Sequence, residues 1–433
     1  MLWRDLTKII LIFSLFIFSA CEKNIFKSSE VSATTLRDVP ALKLNFRYEA
    51  DVPTPTIAEK TELVEQKNTA IQADFDQNRP LDVLEKTLSS PDKQRSLAIY
   101  RKPEDHPSEF RLDMYAADGK LLKNITPNGL AVHFQDSIIW SPDGNNIAFV
   151  GMIRVNPANQ QPIVADAPIP PDLETANSNL DVNANINSNI DVNVNSNVAT
   201  KTENGKAVLT LRTEQLYTCN REGNELKILT QNDGLIYFYF VWSPDSLALV
   251  ALAATWKEWQ IGQLQADRNG EIFIPSGRPR VVEKNGRVRI LDDNVTKVHP
   301  VWSPDSSKIA LAFDKDIRIN DAIGNSPTQA SIPLKNKLLE SSEVYEEFVK
   351  RTEAGENVTI DVVKNSNSNS GVRTLPAEDS LVSFNPISEL QWTNDNLLYL
   401  QTAFIKDYKE SANNTRSFLR WHRLALSPQS VSY

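Results

Sequence analysis

Four residues, Trp140-Ser141-Pro142-Asp143, return as Trp242-Ser243-Pro244-Asp245 and again as Trp302-Ser303-Pro304-Asp305. A worn copy stands at Trp392-Thr393-Asn394-Asp395, and one without Trp at Ser89-Ser90-Pro91-Asp92. After each comes a short apolar run, such as Ile147-Ala148-Phe149-Val150 or Ile309-Ala310-Leu311-Ala312. A tetrapeptide containing Trp does not recur by chance, so the chain is a repeat protein.

Within a copy, Pro suits the second position of a type I turn because its φ is fixed, and Asp can brace that turn through its carboxylate. Gly144 follows in the first copy; Ser246 and Ser306 take its place later, as a type I turn tolerates. The preceding Trp is expected to bury its ring between neighbouring sheets with its N–H on a carbonyl. Further on, Leu112–Gly119, Leu216–Gly223 and Arg280–Gly286 each lead into a second apolar run, the pattern of a β-hairpin. Four strands per unit build a β-propeller blade.

The pattern W-S-P-D-G-x-x-I-A-F, then L-Y-x-x-N-x-x-G-x-x-L-x-x-L-T, resembles the WD40-like repeat of TolB-type propellers. The resemblance covers roughly 85–433 apart from two insertions, and it implies an all-β propeller of four-stranded blades. A TolB protein proper carries an α/β domain ahead of its propeller, for which this chain has no room, so the Tol-system role is not implied. Trp-to-Trp spacings of 102, 60 and 90 residues exceed one blade, and two polar insertions, at about 157–207 and 334–380, account for the excess. Without them about 250 residues remain, enough for six blades, with five or seven the alternatives, the sixth degenerate or completed from the N-terminal segment. The Asn-rich first insertion reads as a polar excursion. The second contains helical spacing over Leu338–Thr352.

At the N-terminus, Arg4 and Lys8 precede an uncharged stretch from Ile9 to Ala20, too short to span a bilayer as a helix but suited to a signal sequence. Phe18-Ser19-Ala20-Cys21 resembles the lipobox of bacterial lipoproteins, which implies cleavage after residue 20 and lipid attachment at Cys21. Glu22, where Asp would retain the protein at the inner membrane, favours the outer membrane in a Gram-negative cell. Residues 21–80 read as a tether containing a possible propeller-closing strand near Leu42–Tyr48, and 81–433 as the propeller. The remaining Cys219 is expected to be reduced and buried in a strand.

A net charge of -9 argues against a nucleic-acid partner. His106, His133, His299 and His422 show no ligand spacing, and no G-x-S-x-G elbow or phosphate loop is present, so no metal, cofactor or catalytic residue is assigned. One Asp per copy (Asp143, Asp245, Asp305, Asp395) is a turn residue rather than a site. The aromatic run Ile236–Trp242 reads as a buried strand, with Tyr237 and Tyr239 on one face and Phe238 and Phe240 on the other. Trp256 and Trp259, taken to lie in a charged loop, are the candidate contact residues. The sequence therefore reads as a non-enzymatic, lipid-anchored extracytoplasmic propeller that scaffolds an envelope protein or binds a cell-wall glycan. The alternative is a propeller enzyme of lyase, cyclase or hydrolase type, which should gather polar side chains at one mouth of its channel.

Overall fold

A computed structural model describes residues 36–56, 67–153, 198–203, 206–211, 214–232, 234–324, 326–367, 374–405, 408–409 and 418–429. The signal segment, Cys21 and most of the Asn-rich insertion lie outside the described residues.

The chain enters through β1 (Leu44–Glu49) and helix α1 (Thr69–Asn78). A first antiparallel sheet follows: β2 (Val83–Ser89), β3 (Arg95–Arg101), β4 (Arg111–Ala116) and β5 (Leu121–Asn124). The second contains β6 (Leu130–His133), β7 (Ile139–Trp140), β8 (Asn146–Ile153), β11 (Gln215–Asn220) and β12 (Lys227–Ile228). Strands β6 and β7 both pair with β8 and together form one interrupted first strand. The hairpin β9 (Val198–Glu203) and β10 (Lys206–Leu211) belongs to the insertion between β8 and β11. In the third sheet, β13 (Leu235–Trp242) and β14 (Ala248–Thr255) are separated by helix α2 (Trp256–Asn269) from β15 (Arg278–Glu283) and β16 (Val288–Ile290). The fourth comprises β17 (Val301–Trp302), β18 (Lys308–Phe313), β19 (Asp316–Asp321) and β20 (Gln329–Pro333). Helices α3 (Lys335–Glu353) and α4 (Ile360–Asn367) lead to the fifth, β21 (Ile387–Asn394), β22 (Leu397–Thr402) and β23 (Arg420–Pro428), which β1 completes along β23.

The fold is thus propeller-like, with five four-stranded antiparallel sheets. Besides the β9–β10 hairpin the described residues hold no further sheet, and the N-terminal strand β1 is the outer strand of the fifth.

Period-two alternation explains why the second strands are apolar throughout. Side chains of one strand serve two seams. Leu97 and Ile99 of β3 pack with Ile147 and Phe149 of β8, whereas Ala98 and Tyr100 meet Ile71 and Phe75 of α1. Ala148 and Val150 pack with Leu249 and Ala251 of the third sheet, and Val250 with Ile309 and Leu311 of the fourth. Ala310 and Ala312 then meet Leu398 and Leu400 of the fifth. Each fully buried Leu, Ile or Phe contributes about 1.5–3 kcal/mol, so four such seams outweigh any single hydrogen bond in holding the sheets together. Cys219 lies in the first of these seams, and burial pushes its thiol up to about 12. Helix α3 places Leu338 in the last.

The repeated motif is the joint between sheets. Trp140 Nε1 donates to the Leu88 carbonyl of the first sheet at 3.3 Å, and Trp302 Nε1 to the Val241 carbonyl of the third at 3.3 Å. The Ser hydroxyls of the motif donate to its Asp: Ser141 to Asp143 at 2.5 Å, and Ser243 to Asp245 and Ser303 to Asp305 at 2.6 Å. Asp143, Asp245 and Asp305 also accept from the backbone N–H two residues on. These carboxylates are structural. One detail departs from expectation: Gly144, Ser246 and Ser306 all have φ between +62° and +69°. Glycine takes this left-handed region freely, whereas serine is strained there, so the turn does not tolerate Ser246 and Ser306 without cost. Their hydroxyls supply the compensation. Ser246 Oγ accepts the Asp143 N–H, and Ser306 Oγ the Asp245 N–H, each at 3.0 Å across a seam.

Candidate functional site

The strand registers bring together what the sequence keeps apart. In the first sheet Ser89, at the motif Trp position, pairs with Ser96, and Lys86 with Ile99. In the third, Trp242 pairs with Leu249 and Tyr239 with Leu252. In the fifth, Trp392 pairs with Leu398 and Glu389 with Gln401. Lys86, Tyr239 and Glu389 therefore occupy one rung, three residues before the motif Trp. His299 holds the same offset before Trp302. In the second sheet the rung falls on His133, which pairs with Val150 while Trp140 pairs with Ile147. Here the first strand is interrupted by four extra residues. Four first strands thus carry Lys, His, Tyr and Glu at one level, and His299 has the same offset just ahead of the fourth.

The backbone is irregular at this level. A bulge precedes Lys86, Tyr239 and Glu389 in three different sheets. After His133 the strand breaks at Phe134, which adopts φ +53°. Bulges interrupt pairing and redirect side chains, and their recurrence at one rung is a local device rather than a defect. The bulge at Phe238 also corrects the expected alternation of β13: Tyr237 and Phe240 are both buried, and Tyr239 is displaced from Tyr237.

Contacts around the rung are specific. The rings of Tyr239 and His299 stack at 3.8 Å with an interplanar angle of 8°. Burial pushes the Tyr239 phenol up to about 12 and the His299 imidazole below its ordinary value, so both are neutral at pH 7. His133 Nδ1 lies 3.5 Å from Glu214 Oε1, both side chains being buried. Lys86 Nζ reaches Asp136 of the second sheet at 2.9 Å.

Helix α2 stands beside this rung. It starts with a capping box in which Thr255 and Glu258 satisfy each other's backbone, and ends at Gly270 in the left-handed conformation. Burial would raise the Glu258 carboxyl, yet bonds from Thr255 and from Arg278 at 2.7 Å hold it below the usual range. Trp256 and Trp259 are therefore helical residues, not loop residues, and Trp256 is buried. The half-buried Trp259 contacts Phe134, Phe238 and Phe273, with centroids 5.9, 5.5 and 5.0 Å away. Phe134 follows His133 and Phe238 precedes Tyr239, so the aromatic cluster abuts the polar rung. A pocket of about 230 Å³ opens on its other side.

The two candidate tryptophans thus separate: Trp259 borders the site and Trp256 is core. The motif residues Trp140, Pro142, Asp143, Trp242, Pro244, Asp245, Trp302, Pro304, Asp305, Trp392 and Asp395 lie at the joints. Of the four histidines, His133 and His299 share the rung, while His422 is buried in the fifth sheet and His106 lies in the β3–β4 loop. Aligning the motif copies and reading three residues back finds Lys86, Tyr239, His299 and Glu389. His133 is hidden by its four-residue insertion. Among the described residues no group of His, Cys, Asp and Glu is arranged to hold a metal.

No protein-family model matches the chain, and no curated protein does. Solved structures that resemble it include prolyl oligopeptidase B from Galerina marginata, at 9% identity over 78% of this chain and 35% of that one, with a TM-score of 0.36. An oligogalacturonate lyase in complex with manganese aligns at 8% identity over 79% of this chain and 76% of that one, with a TM-score of 0.25. A study of two prolyl endopeptidases supplies a third, at 11% identity over 58% of this chain and 28% of that one, with a TM-score of 0.31. The chain spans about a third or less of the two peptidases. These neighbours are peptidases and a lyase, and so stand against the expectation of a non-enzymatic protein rather than with it. At this level of similarity they assign no activity to this chain.

Proposed function

We propose that the chain is an extracytoplasmic, lipid-anchored propeller-type enzyme that performs acid–base chemistry, of hydrolase or lyase type, at the axial rung. Its five sheets are read as the complete propeller. The observation that carries the proposal is the polar rung itself: Lys86, His133, Tyr239 and Glu389 at one register level of four strands, with His299 stacked on Tyr239. A scaffold has no need of acid–base side chains repeated at one level, and it is this feature that favours an enzyme over an interaction module.

The proposed roles follow from protonation state. A neutral imidazole is a base at pH 7, and the Tyr239 ring stacked on one face of the otherwise exposed His299 favours its neutral form. The Tyr239 phenol keeps its proton and can donate it. Glu389, exposed on the fifth sheet, supplies a carboxylate, and Lys86 a positive charge. Turnover of extracytoplasmic polymers by the purified protein, screened over cell-wall, polysaccharide and peptide substrates, tests the reading. Turnover should fall at least about 100-fold in Tyr239→Phe/His299→Ala, the scale of a lost acid–base group. A folded protein inactive on the whole panel, or one whose turnover survives the double change, would show the rung is not catalytic.

A further inference from the structure

We infer that the pocket between α2 and the segment 271–276 is a carbohydrate subsite, and that the substrate of the rung is an oligosaccharide. The inference rests on the proposed function for its second part only. The pocket is built, not incidental. Phe273 meets Trp259 edge-on at 5.0 Å and 78°, giving two aromatic walls at right angles. Its ring packs against the α2 backbone at Gly262, where an added Cβ would come within 2.7 Å of it. Glycine within a helix costs about 1 kcal/mol relative to alanine, and the close approach of Phe273 accounts for its presence.

Around these walls the lining is mixed: Gln265, Asn269, Ser276, Lys297 and Glu271 are polar, and three isoleucines stand among them. Amides and a hydroxyl both donate and accept. That combination fits a sugar ring, whose C–H face lies on an aromatic surface while its hydroxyls need donors and acceptors in the plane. A simple anion finds one lysine but no arginine fork here. The pocket also adjoins the rung through the chain: Lys297 lies two residues before His299, and Trp259 touches Phe238, the neighbour of Tyr239. A chain of sugars seated against α2 therefore leads toward the acid–base residues.

The experiment is titration of the full protein with cellotetraose, chitotetraose and tetragalacturonate, followed by tryptophan fluorescence and saturation-transfer NMR. At least one should bind saturably, with transfer to the C–H face of a ring. Gln265→Ala/Asn269→Ala, two changes at exposed helix positions, should weaken binding at least tenfold with an unchanged melting temperature. No saturable binding by any of the three, or equal binding by the double variant, overturns the subsite. So does displacement of the sugar by tetra-alanine at lower concentration. His299→Ala should keep sugar binding while losing turnover. Binding without turnover in the unaltered protein would sink the catalytic reading and leave the subsite standing.

Discussion

Tyr239 and His299, sixty residues apart in sequence, lie ring on ring at 3.8 Å although they belong to different sheets. They meet because each sits three residues ahead of its own motif Trp, so the joint that fixes the sheets also fixes this pair. The contact has an electrostatic consequence. Each ring removes water from the other, which favours the neutral form of both.

This neutrality sets an expected pH profile for activity. His299 has its pKa lowered, so its base form persists below the ordinary imidazole range and the acid limb of kcat/KM should fall below pH 6.5. Tyr239 titrates near 12, so no basic limb from the phenol should appear below about pH 10. His299→Gln should remove the acid limb altogether. A bell with its acid limb above pH 7 in the unaltered protein would contradict the assignment.

The turn-to-turn bond offers a separate test of the joint. Ser246 is strained at φ +62° and is retained for its hydroxyl, which accepts the Asp143 N–H. Ser246→Ala keeps the strain and leaves that N–H without its partner, so it should lower stability by about 1 kcal/mol. Ser246→Gly relieves left-handed strain of about 1–2 kcal/mol while losing the same bond, and should come out near neutral. Chemical denaturation of the two variants reads the difference. Equal loss in both would mean that the backbone conformation is not what the serine costs.

The repeat made the sheets legible because a Trp and a Pro-containing turn are imposed by local chemistry and repeat with the blades. Apolar runs such as Leu249–Ala254 were legible for the same reason: each strand faces two seams and cannot afford a polar side chain. What stayed hidden depends on register. Rung residues of different types share no motif of their own; the offset from the motif locates four of them, and His133 is displaced by its four-residue insertion. The role of Trp259 was half visible. Its helix starts at Thr255 with a capping box, a signal present in the sequence as Thr255-x-x-Glu258 but masked by the surrounding charge.

Anchoring is independent of the propeller and is tested separately. If Cys21 carries the lipid, Cys21→Ser should release the protein into the soluble envelope fraction without altering its melting temperature. Two or three acyl chains hold a protein stably, whereas one does not, so the shift should be complete rather than partial. Unchanged fractionation would point to an uncleaved signal segment as the anchor.

The fifth sheet contains a histidine that should make the fold acid-sensitive. His422 is buried on β23, where Tyr48 Oη lies 2.8 Å from Nδ1 and the Asp51 N–H donates to the same atom at 3.3 Å. Nδ1 is therefore the acceptor, and Nε2 carries the proton toward Thr402 Oγ1 at 3.1 Å. Burial, then the nearby charges of Arg420 and Lys364, keep its pKa well below the ordinary value. Arg420 itself is held by Asp51 at 2.7 Å and by Ser342 Oγ at 2.7 Å, so its charge stays in place. The unfolded chain takes up the proton near pH 6.5 and the folded chain does not, so within that window the unfolded state binds more protons. The stabilisation is complete above pH 6.5 and is lost as pH falls toward the folded value, with a slope approaching 1.4 kcal/mol per pH unit. His422→Gln, which preserves an acceptor and a donor, should flatten the dependence of melting temperature on pH between 6.5 and 4.5. The difference between wild type and variant isolates this residue from His299 and from the carboxylates, and parallel curves would show that His422 does not titrate on unfolding.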